Sequence, residues 1–112
     1  MGRSPSHHAV LILASLASLA TDGERHGYAI KKDVERRTSN DVRLGSTSLY
    51  RLLAQLLDDG LIAERAPAPS EPDQRRRYYR ITAAGRRALA AELARLERVL
   101  VAARAVPGRR TS

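Results

Sequence analysis

A chain of 112 residues has room for one domain, with at most an appended helix, and for a single modest core. With no Phe, no Trp and four Tyr, that core is expected to be Leu, Ile, Val and Ala carried on short helices, not an aromatic-rich sandwich or barrel. Lys plus Arg is 20 against 12 for Asp plus Glu, a net +8 carried mostly by Arg, which suits a polyanionic partner, although charge alone serves equally well to keep a protein soluble.

Met1 to Ser6 carries Gly, Pro and Ser without periodicity, and residues 1–7 read as a disordered lead-in. From His8 the pattern changes. Ala9, Ile12, Leu13, Leu16, Leu19 and Ala20 follow helical spacing, and Val10 and Leu11 widen the apolar surface, so this helix is expected to be gripped on two sides. The apolar run is about twelve residues, too short to span a bilayer and a poor signal peptide, which points to a core helix of a cytoplasmic protein with no membrane partner.

Thr21 to Arg25 reads as a turn, and His26 to Arg37 as a second helix with Tyr28, Ile30 and Val34 turned inward. A lone His26 at a helix start, with no matching acidic or cysteine cluster, is expected to cap or to pack. Thr38 to Asp41 ends this helix. Ser46 is then a candidate N-cap for a third, ending before Gly60, which is placed to adopt the left-handed conformation.

On a 100° wheel Leu49, Leu52, Leu53, Leu56 and Leu57 of the third helix share one face, while Thr47, Arg51, Ala54, Gln55 and Asp58 point away and Tyr50 lies on the flank. Burying five leucines is worth roughly 1.5–3 kcal/mol each, against about 1.5 kcal/mol for each ordered residue, so this segment needs a scaffold. Its outward face is small, polar and basic, as a helix entering a DNA groove requires. Two helices joined by a short polar turn, the second with a bare polar face, make a helix-turn-helix.

Leu61 to Ala66 and Arg75 to Ile81 are short and strand-like, separated by a loop with three prolines. Tyr79 and Ile81 are expected on the covered face, with Arg75, Arg76 and Arg77 at the ribbon tip. This is the plan of a winged helix, its wing able to touch a DNA backbone.

Thr82 is a plausible N-cap for a final helix running to about Val106, before Pro107-Gly108 and a basic tail over 107–112. Leu89, Leu93, Leu96 and Leu100 recur at steps of 4, 3 and 4, the spacing of a coiled-coil seam. Roughly 25 residues at 1.5 Å each extend about 37 Å, more than a domain of this size covers, so a second copy is the simplest partner.

No catalytic constellation stands out. With no cysteine there is no disulfide, thiolate metal site or thiol nucleophile, and no phosphate loop, nucleophile elbow or zinc spacing appears. Neither an enzyme activity nor a cofactor or metal is expected. The sites read from the sequence are Ser46, Thr47, Ser48, Tyr50, Arg51, Arg75, Arg76 and Arg77 for double-stranded DNA, and Leu89, Leu93, Leu96 and Leu100 for a homodimer.

His26-Gly27-Tyr28, Arg43-Leu44-Gly45, Leu49-Tyr50-Arg51, Asp59-Gly60-Leu61-Ile62, Arg77 to Thr82 and Gly85-Arg86, in that order and spacing, resemble the PadR family of bacterial transcriptional regulators. The resemblance runs from about Ala9 to Leu100. It implies a repressor that binds a two-fold operator as a homodimer and is often released by a small-molecule effector. The single C-terminal helix is similar to the short subfamily, in which it packs with the partner's N-terminal helix. Two features depart from the pattern. Ser46-Thr47 stands where the family commonly has Pro-Gly, so no operator preference carries over, and the absence of Trp argues against a pocket that stacks planar drugs.

The expected fold is therefore mostly α with a small β-wing: a winged helix-turn-helix over 8–82 and a long C-terminal dimerisation helix over 83–106. The expected function is a sequence-specific DNA-binding regulator. The rival reading is a protein-interaction module that keeps the winged fold without sequence-specific DNA binding.

Overall fold

The computed structural model describes residues 6–20 and 23–105. In chain order it contains α1 (His7–Ala17), β1 (Arg25–His26), α2 (Gly27–Arg37), α3 (Ser46–Asp58), β2 (Ile62–Arg65), β3 (Tyr78–Ile81) and α4 (Ala83–Arg104). Four helices thus carry a small antiparallel sheet of order β1-β3-β2. This is the mostly α fold with a β-wing expected from the sequence. Residues 1–5 of the expected disordered lead-in over 1–7, the helix end and basic tail over 106–112, and the Thr21-Asp22 part of the first turn lie outside the described residues. Ser6 and His7 of that lead-in are instead the cap and first residue of α1, a correction to the sequence reading.

α1 begins one residue earlier than its periodicity suggested, because the Ser6 hydroxyl accepts the Ala9 amide at 3.1 Å. Ile12, Leu13 and Leu16 are fully buried, and they meet Ile30 and Val34 of α2, Leu49 and Leu53 of α3, Ile62, Tyr79 and Ile81 of the sheet, and Leu89 of α4 in one apolar cluster. Four of the five leucines foreseen on one face of α3 are buried and Leu57 is half-buried. Those four supply the anchoring that the isolated helix lacked.

The turn between α2 and α3 is held by side chains. Thr38 Oγ1 donates to the Val34 carbonyl at 3.0 Å and accepts the Val42 amide at 3.1 Å, while Ser39 and Asn40 take left-handed backbone angles. Leu44 is buried just before α3. Lys31 grips the Glu35 carboxylate at 2.9 Å, and that bond above all, with a lesser contribution from the Leu44 backbone, holds the Glu35 carboxyl below its usual range. With Leu44 fixed, Gly45 becomes the cap residue of α3, and no side chain caps that end. Ser46 is the first helical residue and not the N-cap, a correction to the sequence reading.

Gly60 ends α3 at φ +73°, as foreseen. Thr82 caps α4, accepting the Gly85 amide at 3.0 Å and donating to the Gly60 carbonyl at 2.7 Å. One threonine thereby joins the start of α4 to the end of α3. β1 was not foreseen. It pairs Arg25 with Tyr79 and His26 with Tyr78, adding a third strand to the expected ribbon.

Candidate nucleic-acid interface

α3 presents an exposed face opposite its buried leucines. Ser46, Thr47, Tyr50 and Arg51 are exposed and Ser48 is half-buried, so these five candidates lie on the first turns of the helix, free of the core. Arg51 makes no ion pair among the described residues. Its guanidinium is therefore available to a ligand in the direction α3 faces.

The wing is fixed by a small polar network. Arg65 at the end of β2 donates from Nε to Glu24 Oε2 at 2.9 Å and from Nη1 to Glu71 Oε1 at 2.9 Å, and its guanidinium stacks 4.5 Å from the Tyr78 ring centroid. The hydrogen bonds from Arg65 hold the Glu24 carboxyl below its usual range, and those to Glu24 and Glu71 raise Arg65 above its own. Within the loop Gln74 donates to the carbonyls of Ala68 at 2.8 Å and Glu71 at 2.6 Å, and Glu71 accepts the Ala68 amide at 3.0 Å. A proline-rich loop with no regular structure is thus tied internally.

This tie directs the triple arginine. Asp73 accepts the Arg75 amide at 3.0 Å and lies 3.9 Å from the Arg75 and 3.6 Å from the Arg76 guanidinium. Asp73 therefore offsets part of the mutual repulsion that the bare sequence implied. Arg77 forms no ion pair among the described residues. Three guanidiniums against one carboxylate leave the tip positive.

Arg75, Arg76 and Arg77 line one cleft with Tyr50 of α3 and with His26, Gly27 and Tyr28 at the start of α2. Of the α3 candidates Tyr50 alone lines this cleft with the wing arginines; Ser46, Thr47, Ser48 and Arg51 lie outside its lining. Two of the lining residues, His26 and Tyr28, were not among the candidates. Tyr28 was expected inside but is 60% exposed, because it projects from the side of α2 opposite Ile30 and Val34. The helical phase of Tyr28 relative to those two residues was the signal that could have found it. His26 caps α2, its Nδ1 accepting the Ala29 amide at 3.3 Å, and meets Tyr78 edge to face at 6.0 Å. Burial, then the Arg76 charge, lower its pKa against the opposing pull of Asp73.

Beneath α2, Asp33 is almost fully buried. Arg37 Nε donates to it at 2.6 Å, Arg36 bonds its other oxygen and Arg25 lies 4.0 Å away. Burial alone would raise the Asp33 carboxyl, but these partners overcome it and the net shift is downward. The two basic residues ending α2 are thereby committed to the fold.

The seam candidates divide. Leu89 is 8% exposed and belongs to the chain's own core, which corrects its place in a seam offered to a partner. Leu96 is half-buried, whereas Leu93 and Leu100 are 44% and 49% exposed. Every residue from Glu97 to Ala105 is exposed, including Val99 and Val101. The molecule measures 62 × 31 × 26 Å. Among the described residues no helix is long and apolar enough to cross a membrane, and no cluster of three metal-ligating side chains is present.

No curated protein matches the chain. Among solved structures it is similar to a transcriptional regulator from Clostridium thermocellum, with 26% identity and a TM-score of 0.72 over 86% of this chain and 85% of the other. A PadR family transcription regulator from Clostridium difficile shares 21% identity, with a TM-score of 0.71 over 87% and 94%. Bacillus subtilis PadR in complex with operator DNA shares 23%, with a TM-score of 0.64 over 79% of this chain and 47% of that one. Residues 16–91, more than half of the sequence, match the family described as transcriptional regulator PadR-like, and on that match, with the winged-helix fold, the chain belongs to the PadR-like family of transcriptional regulators.

Proposed function

We propose that the protein is a cytoplasmic repressor that binds a two-fold operator in double-stranded DNA as a homodimer, with α3 in the major groove and the wing arginines on phosphates. The observation that carries this reading is the shared orientation of two surfaces. Tyr50 on the exposed side of α3 and the three arginines of the wing line one cleft. In this division of labour Thr47, Ser48 and Arg51 read base edges, and Arg75, Arg76 and Arg77 set position. The operator complex of the B. subtilis relative supports DNA as the partner.

The uncovered end of α4 supports a second copy, with Leu93, Leu96 and Leu100 as the seam. Release by a small-molecule effector follows the family pattern that the sequence resembles. With no Trp in the chain, such an effector would be held by means other than indole stacking.

Sequencing the duplexes that the purified protein selects from a random pool tests the central reading. The expected result is a motif with two-fold symmetry, bound with affinity falling about 10³–10⁵-fold between 50 and 200 mM salt if roughly 6–10 phosphates are contacted. Arg51→Ala is expected to relax the motif, and Arg76→Ala to weaken all sequences alike. No enriched motif, with a protein captured in its place, would favour an interaction module.

A further inference from the structure

The cleft between the wing and α3 has a volume of about 260 Å³ and a lining rich in donors. Arg75, Arg76 and Arg77 contribute guanidiniums, and Tyr28 and Tyr50 contribute phenol rings that are 60% and 52% exposed. His26 adds a donor of a different kind. Its Nδ1 is occupied as an acceptor for the Ala29 amide, so the neutral ring carries its proton on Nε2. Asp73 supplies the one carboxylate of the lining, and it is already engaged by the Arg75 amide and the guanidiniums of Arg75 and Arg76. A lining of cationic and neutral donors suits an anionic group with several acceptor oxygens.

We infer that this cleft seats one phosphodiester of a DNA strand, gripped by Arg76 and Arg77, with the Tyr28 and Tyr50 hydroxyls and the His26 Nε2–H as neutral donors. The inference rests on the DNA-binding reading and extends it to the start of α2, whose His26 and Tyr28 have no role in that reading. Gly27 fits the same arrangement. A Cβ there would lie 2.7 Å from the Tyr50 hydroxyl, so glycine is what lets that group reach the cleft beside α2. Tyr50 joins the cleft to the exposed face of α3, so a group held there lies beside a helix face open to a longer ligand, which favours a polymer over a free phosphate ion.

Charged and neutral donors leave different marks on salt dependence, and the test uses that difference on a selected duplex. Arg76→Gln is expected to reduce the slope of log affinity against log salt by about one per protomer, about two for the dimer, because each copy loses one counterion-releasing contact. Tyr28→Phe and His26→Asn are expected to lower affinity roughly threefold to tenfold per protomer at every salt with the slope unchanged, since each removes one neutral hydrogen bond from each copy. Asn keeps a side-chain acceptor for the α2 cap, and a thermal melt checks that the variant is folded. Tyr28→Phe, at an exposed position, carries the test if His26→Asn does not fold. A scan of single neutral methylphosphonates should find one position in each half-site where wild type loses affinity and these variants lose less.

Inorganic phosphate, exchanged for chloride at constant ionic strength, should not displace the duplex. Displacement would reassign the cleft to a free anion and overturn the proposal. Wild-type affinity for both neutral-donor variants, with a steep salt dependence retained, would reject the cleft and leave DNA binding intact. Failure of wild type to bind any duplex would remove the DNA-binding reading and the proposal with it.

Discussion

The Tyr50 hydroxyl rests against Gly27 so closely that a methyl group at position 27 would come within 2.7 Å of it. Position 27 opens α2, where Ala is tolerated by the helix itself, and the obstructing atom is the end of a side chain that can swing away. Gly27→Ala is therefore expected to fold with a Tm within a few degrees of wild type while displacing Tyr50. DNA affinity should fall about threefold to tenfold per protomer, the range for one hydrogen bond lost from each copy. A melt and a gel shift decide it. Unchanged affinity would mean that the placement of Tyr50 does not matter to the interface.

What could be read from the sequence was what local rules govern. The leucine stripe of α3, the Thr82 cap, the left-handed Gly60 and the inward Tyr79 and Ile81 all follow from periods and caps that operate within a few residues. The failures have distant causes. Ser46 is a favoured cap type, but Leu44 is buried just before α3 and the cap falls to Gly45. β1 is two residues long, too short to show any period, and exists through pairing with β3 some fifty positions away. Leu89 continues the heptad spacing of Leu93 and Leu100, yet the core reaches it first. At the candidate site, the charges and the α3 face were legible. The loop ties that carry the arginines to His26 and Tyr28 join residues far apart in sequence, and no spacing rule reports them.

Gly85 is a stricter case than Gly27. A Cβ there would fall 2.0 Å from the Leu61 carbonyl oxygen and 2.7 Å from Ile81 Cγ1, so backbone and core would have to move together. Gly85→Ala is expected to cost at least the roughly 1–3 kcal/mol of ordinary overpacking. Urea denaturation should show a lower midpoint with an unchanged slope. Stability equal to wild type would show that the first turn of α4 is not pressed on Leu61 in solution.

His26 should make stability depend on pH. Arg76, Asp73 and Tyr50 share its cleft, Tyr78 packs on it, and burial followed by the Arg76 charge lowers its pKa in the folded chain. As pH falls, the unfolded chain takes up this proton first, near the ordinary imidazole value of about 6.5, and folding must oppose it. The stabilising contribution is thus full above that value and is lost as pH falls through the lower folded value. Protonation of Nδ1 would also remove the acceptor that caps α2. The expected outcome is a Tm that declines from about pH 7 downward in wild type and declines less in His26→Asn. Parallel curves for the two proteins would assign the decline to other groups.

The leucines of α4 separate folding from association. Leu89 is buried in the chain's own core, so Leu89→Ala is expected to cost about 2–5 kcal/mol of stability. Leu93 and Leu100 lie on the same side of α4 but largely in the open, where in the isolated chain each adds little to stability. Covering the remaining exposed half of each by a second copy is worth up to about half of the roughly 1.5–3 kcal/mol of a fully buried leucine. Leu93→Asp combined with Leu100→Asp would instead place two carboxylates in that seam, which a partner carrying the same change cannot neutralise. Sedimentation should show wild type as a dimer and the double variant as a monomer, with the helical far-UV signal retained. A double variant that still sediments as a dimer would move the interface off this face of α4, and a loss of helical signal in Leu89→Ala alone would confirm which leucine serves the core.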